Sequence, residues 1–155
     1  MKKATFLITA GIIMVMLVGC QMSRTPIDSD TFKTEAEAAG YTVQNAVDQQ
    51  SEEAVIDYLI AIKGEESIDY QIEFAIVPTV EQAKSTYQEN RSTFEAQKES
   101  AFAETSVAIG NYSSYKLSTG KRYYVISRIE NTFIYIDASS EYKDEIATFL
   151  KNIGY

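Results

Sequence analysis

An apolar repeat of three to four residues occurs in three segments of the chain and predicts three helices. Each segment follows a residue typical of a helix start, and the first and third end at glycine. The predicted caps and stops are Asp30 or Thr31 with Gly40, Thr79 with Gln82 as a capping box, and Ser139 or Ser140 with Gly154. The predicted buried residues are Phe32, Ala36 and Ala39, then Val80, Ala83, Tyr87 and Phe94, then Tyr142, Ile146, Phe149, Leu150 and Ile153.

Between these helices, β-branched and aromatic residues alternate with other residues over short runs, which predicts strands. The runs cover residues 41–47, 54–63, 68–77, 105–109, 112–118, 122–129 and 132–138. A tight hairpin is predicted at Glu130 and Asn131. Residues 54–63 also fit a helix, because Val55, Leu59 and Ile62 have helical spacing, but their β-branched content favours a strand.

The order of helices and strands predicts an α+β fold with three helices and an antiparallel sheet of about six strands. It is compatible with two helix-plus-three-strand units, although the two halves share little sequence. The chain has 155 residues, of which 45% are hydrophobic, enough for one compact core. We therefore expect a single domain at residues 31–155.

The first twenty residues have the layout of an export signal. Lys2 and Lys3 precede an apolar stretch at residues 6–18, and small residues then lead to the only cysteine, Cys20. The uncharged stretch at residues 4–19 is shorter than the roughly 20 residues that span a bilayer. The segment therefore predicts a cleaved signal peptide.

The quartet Leu17, Val18, Gly19 and Cys20 resembles the lipobox of bacterial lipoproteins. The resemblance implies cleavage between Gly19 and Cys20, a diacylglycerol on the Cys20 sulfur, and a place on the outer face of the bacterial cytoplasmic membrane. Two acyl chains anchor stably, whereas one binds reversibly. The alternatives are ordinary signal cleavage nearby and retention as an N-terminal helix. We expect a signal peptide at 1–19 and a flexible, lipidated tether at 20–30.

Three stretches of the mature chain are similar to small cell-surface lipoproteins of Gram-positive bacteria. They are YQIEF at 70–74, AKSTY at 83–87 with Asn90, and YYVISRIENTFIYIDASSEYKDEIATFLKNIGY at 123–155. The similarity lies in core and turn residues. It therefore implies the same kind of anchored domain and assigns no catalytic residue.

Composition excludes several classes of function. The chain has no histidine, so it has no Ser/His/Asp triad, no Cys/His pair and no imidazole metal site. The formal charge is 14 − 22 = −8, and loss of Lys2 and Lys3 gives 12 − 22 = −10. Such acidity argues against nucleic acid as a partner. No cofactor or metal is predicted, and one cysteine allows no internal disulfide.

The candidate binding surface is one face of the last predicted hairpin, which carries Tyr124, Arg128, Phe133 and Tyr135. Tyrosine and arginine are enriched at binding hot spots, and Arg128 is placed to stack on Phe133 or Tyr135. The alternative is that a helix covers this face as part of the core.

Two classes of function therefore compete. The first is a non-enzymatic binding or interaction module for an envelope protein or glycan. The second is a carboxylate-based hydrolase of cell-wall glycans, which needs two facing acids. Three acid pairs are adjacent in sequence and therefore diverge: Glu52 with Glu53, Glu65 with Glu66, and Asp144 with Glu145. Ser140 and Lys143 have the spacing of a Ser/Lys nucleophile without its companion motifs.

Overall fold

A computed structural model describes residues 23–51, 54–99 and 102–155. The predicted signal peptide, Gly19, Cys20 and the pair Glu52 and Glu53 lie outside these ranges. The elements are α1 (Ser29–Ala38), β1 (Thr42–Asn45), β2 (Asp57–Lys63), β3 (Tyr70–Ile76), α2 (Val80–Glu95), β4 (Phe102–Ile109), β5 (Tyr112–Thr119), β6 (Arg122–Ile129), β7 (Thr132–Ser139) and α3 (Lys143–Asn152). Short 3₁₀ turns lie at Val47–Gln49 and Ser140–Tyr142.

The strands form one antiparallel sheet in the order β1-β2-β3-β7-β6-β5-β4. The α+β class, the three helices and the antiparallel sheet are confirmed, but the sheet has seven strands rather than about six. The second meander, β4 to β7, has four strands, and β7 joins it to the first meander by pairing with β3, with Glu73 opposite Tyr135. Residues 57–63 are strand, not helix.

Helices α1 and α3 cover one face of the sheet and form the main core. Phe32 of α1 stacks on Phe74 of β3, with ring centroids 4.6 Å apart, and meets Phe149 of α3 edge-on at 6.1 Å. All three side chains are at most 4% exposed. Large aromatic side chains dominate the energetics of a hydrophobic core. These three rings therefore contribute strongly to the stability of a domain that has no disulfide.

Helix α2 covers the other face only in part. It contacts β5, β6 and β7, and its buried residues Ala83, Tyr87 and Phe94 are the predicted ones apart from half-buried Val80. Within the described ranges, α2 makes no extensive contact with β2 or β3. The sheet therefore has one face that packs against α1 and α3 and one face that α2 covers in part.

The helix starts differ from prediction at two of three sites. Asp28, not Asp30 or Thr31, caps α1, because its carboxylate accepts the Thr31 N–H at 2.8 Å. Thr79 caps α2 as predicted, but the Gln82 side chain donates to the Ala54 carbonyl instead of completing the capping box. A 3₁₀ turn precedes α3 and replaces the predicted serine cap.

The end of the predicted tether lies against the domain. Arg24 hydrogen-bonds to Asn111 and Gly154, and Ile27 packs on the main core. The chain is therefore in contact with the domain from Arg24 onward, well before the expected end of the tether at residue 30. Within the described ranges, no helix has the length and apolarity to cross a membrane.

Candidate functional site

The uncovered half of the second sheet face carries a row of side chains that run from strand to strand. The register places Ile60 opposite Glu73 and Glu73 opposite Tyr135, and the row then passes to Ile126 under α2. Phe94, near the end of α2, contacts the Tyr135 ring at 5.1 Å between centroids. Tyr135 therefore lies at the border between the covered and the open half.

Glu73 is the polar centre of the open half. Its Oε2 accepts the Tyr58 hydroxyl at 2.5 Å, and its Oε1 accepts the Gln71 amide at 3.0 Å. Both partners come from neighbouring positions on β2 and β3, so the sheet fixes the carboxylate. Hydrogen bonds to a charged acceptor are about twice as strong as neutral ones.

Both tyrosines beside Glu73 keep their protons at ordinary pH. Burial raises the pKa of Tyr58, and its hydrogen bond to Glu73 raises it further. Burial also raises the pKa of Tyr135, and the negative charges of Asp137 and Glu73 raise it further. The Tyr58 phenol is therefore a donor to Glu73.

Two adjoining cavities flank this centre. The inner cavity has a volume of about 410 Å³ and lies between the sheet, α2 and the segment before β2. Its lining residues are Gln50, Val55, Tyr58, Glu73, Thr86, Asn90, Phe133 and Tyr135. The outer cavity has about 360 Å³ and includes Gln71, Arg122 and Asp137. Glu73 and Tyr135 line both cavities, which together we name the Tyr135 cleft.

An ion pair forms one wall of the outer cavity. The Arg122 guanidinium on β6 donates to the Asp137 carboxylate on β7, and both side chains are about 40% exposed. The cleft therefore contains charged groups next to its aromatic and amide side chains. Binding sites commonly combine apolar walls with a few directed polar groups.

The structure divides the four predicted surface residues into two pairs. Phe133 and Tyr135 are half-buried and line the Tyr135 cleft. Tyr124 is 8% exposed and Arg128 is 4% exposed, and both lie on the part of the face that α2 covers. Phe94 packs on Tyr124 at 5.0 Å, which explains its burial. For Tyr124 and Arg128, the alternative that a helix covers this face is therefore the observed one.

Arg128 has a different set of contacts from the predicted aromatic stacking. Its guanidinium donates to the Glu130 carbonyl at 3.0 Å and to the Ser113 hydroxyl at 3.2 Å. Burial lowers its pKa. Arg128 therefore ties the ends of β5 and β6 together beneath α2.

Four residues of the cleft were not predicted from the sequence: Tyr58, Gln71, Glu73 and Arg122. Tyr58, Gln71 and Glu73 reach Tyr135 through the pairing of β3 with β7, which joins residues about 60 positions apart in sequence. Arg122 reaches the cleft across the β6–β7 hairpin, where it forms an ion pair with Asp137. One available signal was the alternation in β3, which places Gln71 and Glu73 on the side opposite buried Tyr70, Ile72 and Phe74.

The predicted nucleophile spacing does not form a site. The Ser140 hydroxyl donates to the Gly120 carbonyl, and the Lys143 ammonium lies 6.0 Å from the centre of the Tyr123 ring. Among the residues that the structure describes, no group of three or more acidic, Cys or His side chains is placed to hold a metal ion.

Comparison of the chain with protein-family models, curated proteins and solved structures finds no match.

Proposed function

We propose that the protein is a lipid-anchored binding module on the outer face of the bacterial cytoplasmic membrane. Export is supported by the layout of the first twenty residues: two lysines, Lys2 and Lys3, come first, an apolar stretch follows, and small residues precede Cys20. The support for the anchor is the lipobox resemblance at residues 17–20 and the similarity to Gram-positive surface lipoproteins.

We infer that the Tyr135 cleft binds a glycan of the cell envelope. The observation that carries this inference is the uncovered sheet face on which Tyr58, Glu73 and Tyr135 form an aromatic and polar row. Aromatic rings offer flat surface to the C–H face of a sugar, while amides and carboxylates accept or donate hydrogen bonds to its hydroxyls. Gln71 and Asn90 supply such amides at the two ends of the cleft.

The hydrolase alternative requires two acids that are available to a substrate. Three acids line the cleft: Glu73 and Asp137 each already accept hydrogen bonds from neighbouring side chains, and Asp69 lines only the outer cavity. A binding role uses these oxygens as fixed acceptors. The binding module is therefore the function that we propose.

The anchor is tested by fatty-acid labelling of Cys20→Ala in the full chain. We expect the unaltered protein to carry the label and to sediment with membranes, and the variant to lose both. Cys20→Ser is a second control, because it keeps a nucleophilic side chain of similar size. Label on either variant would exclude the lipobox assignment.

Ligand binding is tested with soluble fragments of cell-wall glycan added to the ¹⁵N-labelled domain. We expect amide shifts around Tyr58, Glu73 and Tyr135, and at least a tenfold weaker affinity for Tyr135→Ala. Tyr142→Ala is the matched control, because Tyr142 is also half-buried but packs on Tyr70 on the other face. Equal loss in both variants would refute the cleft, and shortened glycan products would favour the hydrolase.

A further inference from the structure

The segment before α1 is held to the domain by a closed set of contacts. The Arg24 backbone N–H donates to Asn111 Oδ1 at 2.9 Å, and Asn111 Nδ2 donates back to the Arg24 carbonyl at 2.7 Å. The Arg24 guanidinium donates to the Gly154 carbonyl at 2.7 Å and lies 3.6 Å from the centre of the Tyr112 ring. This arrangement fixes Arg24 on the domain through both its backbone and its side chain.

The position of Arg24 limits how far the domain can stand from the anchor. Arg24 follows Cys20 by four positions, and four residue steps span at most about 14 Å even when fully extended. If Cys20 carries the diacylglycerol, the surface around Arg24 therefore lies close to the lipid headgroups. A flexible tether of 11 residues would impose no such orientation.

A basic cavity adjoins the docked Arg24. It has a volume of about 580 Å³, and its cationic lining residues are Arg24, Lys116 and Lys151. None of its lining residues is an aspartate or glutamate, although acids outnumber bases 22 to 14 in the chain. Within the described ranges these three cations form no ion pair. The nearby carboxylate of Glu130 accepts from Asn111 and does not line the cavity.

The docked segment marks one end of the sheet. Asn111 lies in the β4–β5 turn, which is bonded to the β6–β7 turn through the Glu130 N–H. The β5–β6 turn and the β2–β3 loop lie at the opposite end, one strand length or about 25 Å away. The outer cavity of the Tyr135 cleft, with Ile68 and Arg122, lies toward that opposite end.

We propose that the surface formed by Arg24, Lys116 and Lys151 docks on the phosphate headgroups of the bilayer that holds the anchor. This inference rests on the proposed lipidation of Cys20. Docking orients the domain with the β4–β5 turn toward the lipid and the outer cavity of the Tyr135 cleft toward the cell wall. Positive side chains close to an anionic surface strengthen such contact roughly fivefold each.

The test uses the full lipidated chain in vesicles of phosphatidylcholine and phosphatidylglycerol in equal amounts, with an energy-transfer acceptor on a headgroup. A donor dye is placed at Asn152→Cys, at the docked end, or at Ser67→Cys, at the opposite end; both positions are exposed. We expect stronger transfer from position 152 than from position 67. Added salt should reduce this difference, because it screens exposed charges.

The decisive variant is Lys116→Gln with Lys151→Gln, which leaves all Arg24 contacts intact. We expect the ratio of docked to undocked protein to fall about 30-fold, with equalised transfer from the two dyes. Lys84→Gln with Lys121→Gln is the matched control, because it removes the same charge from exposed lysines outside the cavity and should keep the difference.

Failure of the anchor and failure of docking give different results. A protein that does not float with the vesicles, with no transfer from either dye, would overturn the lipidation and the docking together. A protein that floats but shows equal transfer from both positions would overturn the docking alone. An unchanged difference in the Lys116 and Lys151 variant would likewise overturn it.

Discussion

Phe94 is the side chain that divides the second sheet face into a covered and an open half, so its removal tests this division. Phe94 is 1% exposed and contacts both Tyr124 and Tyr135, with centroid distances of 5.0 and 5.1 Å. Phe94→Ala deletes the ring between the end of α2 and the sheet. Helix α2 then keeps only Ala83 and Tyr87 as fully buried contacts.

The expected cost follows from three contributions. Burial of a phenylalanine side chain is worth about 1.5–3 kcal/mol. Each of the two aromatic pairs adds about 0.5–1.5 kcal/mol. The resulting range agrees with the loss of about 3–5 kcal/mol typical of phenylalanine-to-alanine changes in cores. Such a loss is a large part of the 5–15 kcal/mol that stabilises an ordinary domain.

Urea unfolding followed by far-ultraviolet circular dichroism measures the change, with the domain expressed from residue 23. At an m value near 2 kcal/mol per molar, we expect the midpoint to fall by about 2 M. Phe102→Ala is the control, because Phe102 is 47% exposed and its loss should cost under about 0.5 kcal/mol. Equal midpoints for the two variants would refute the covering role of α2.

Two further predictions concern the backbone and pH. Gly64 has φ +121°, and an added Cβ would lie 1.9 Å from the Ser67 carbonyl oxygen, so Gly64→Ala should lower the free energy of unfolding by about 2 kcal/mol or more. Gly120→Ala, with no atom within 4 Å of the added Cβ, should be nearly neutral, and equal urea midpoints would contradict this difference. Burial, then the Asp144 charge, raises the pKa of Tyr123 from 10 to about 12, so its contribution to stability is complete below pH 10 and is lost as pH rises through about 12. Tyr123→Phe should therefore make the alkaline loss of stability shallower, and an unchanged pH profile would contradict the assignment.

Local patterns predicted most of the elements because the forces that form them act over a few residues. The Glu130 and Asn131 hairpin follows from short-range turn chemistry, and β6 and β7 begin where the alternation begins. The buried stripe of α3 follows from its apolar repeat, with Ile146, Phe149 and Leu150 fully enclosed. The cap of α1 was misplaced because three neighbouring residues, Asp28, Asp30 and Thr31, all have suitable side chains.

The candidate site was only half predictable because it depends on contacts between distant residues. Tyr135 and Phe133 were identified from their own strand, but Glu73 reaches Tyr135 only through the β3–β7 pairing. The burial of Tyr124 depends on where α2 lies across the sheet, which alternation within a hairpin does not specify. The docking of Arg24 likewise depends on Asn111, 87 residues away.

The Tyr135 cleft is the feature on which the proposed function depends, and photo-crosslinking in the native envelope tests it most directly. A photoreactive residue is placed at Gln71, on the wall of the cleft, and separately at Lys84, on the exposed side of α2. We expect mass spectrometry to find an envelope glycan bound at position 71 and none at position 84. Absence of a glycan at position 71, or equal capture at both positions, would contradict the account.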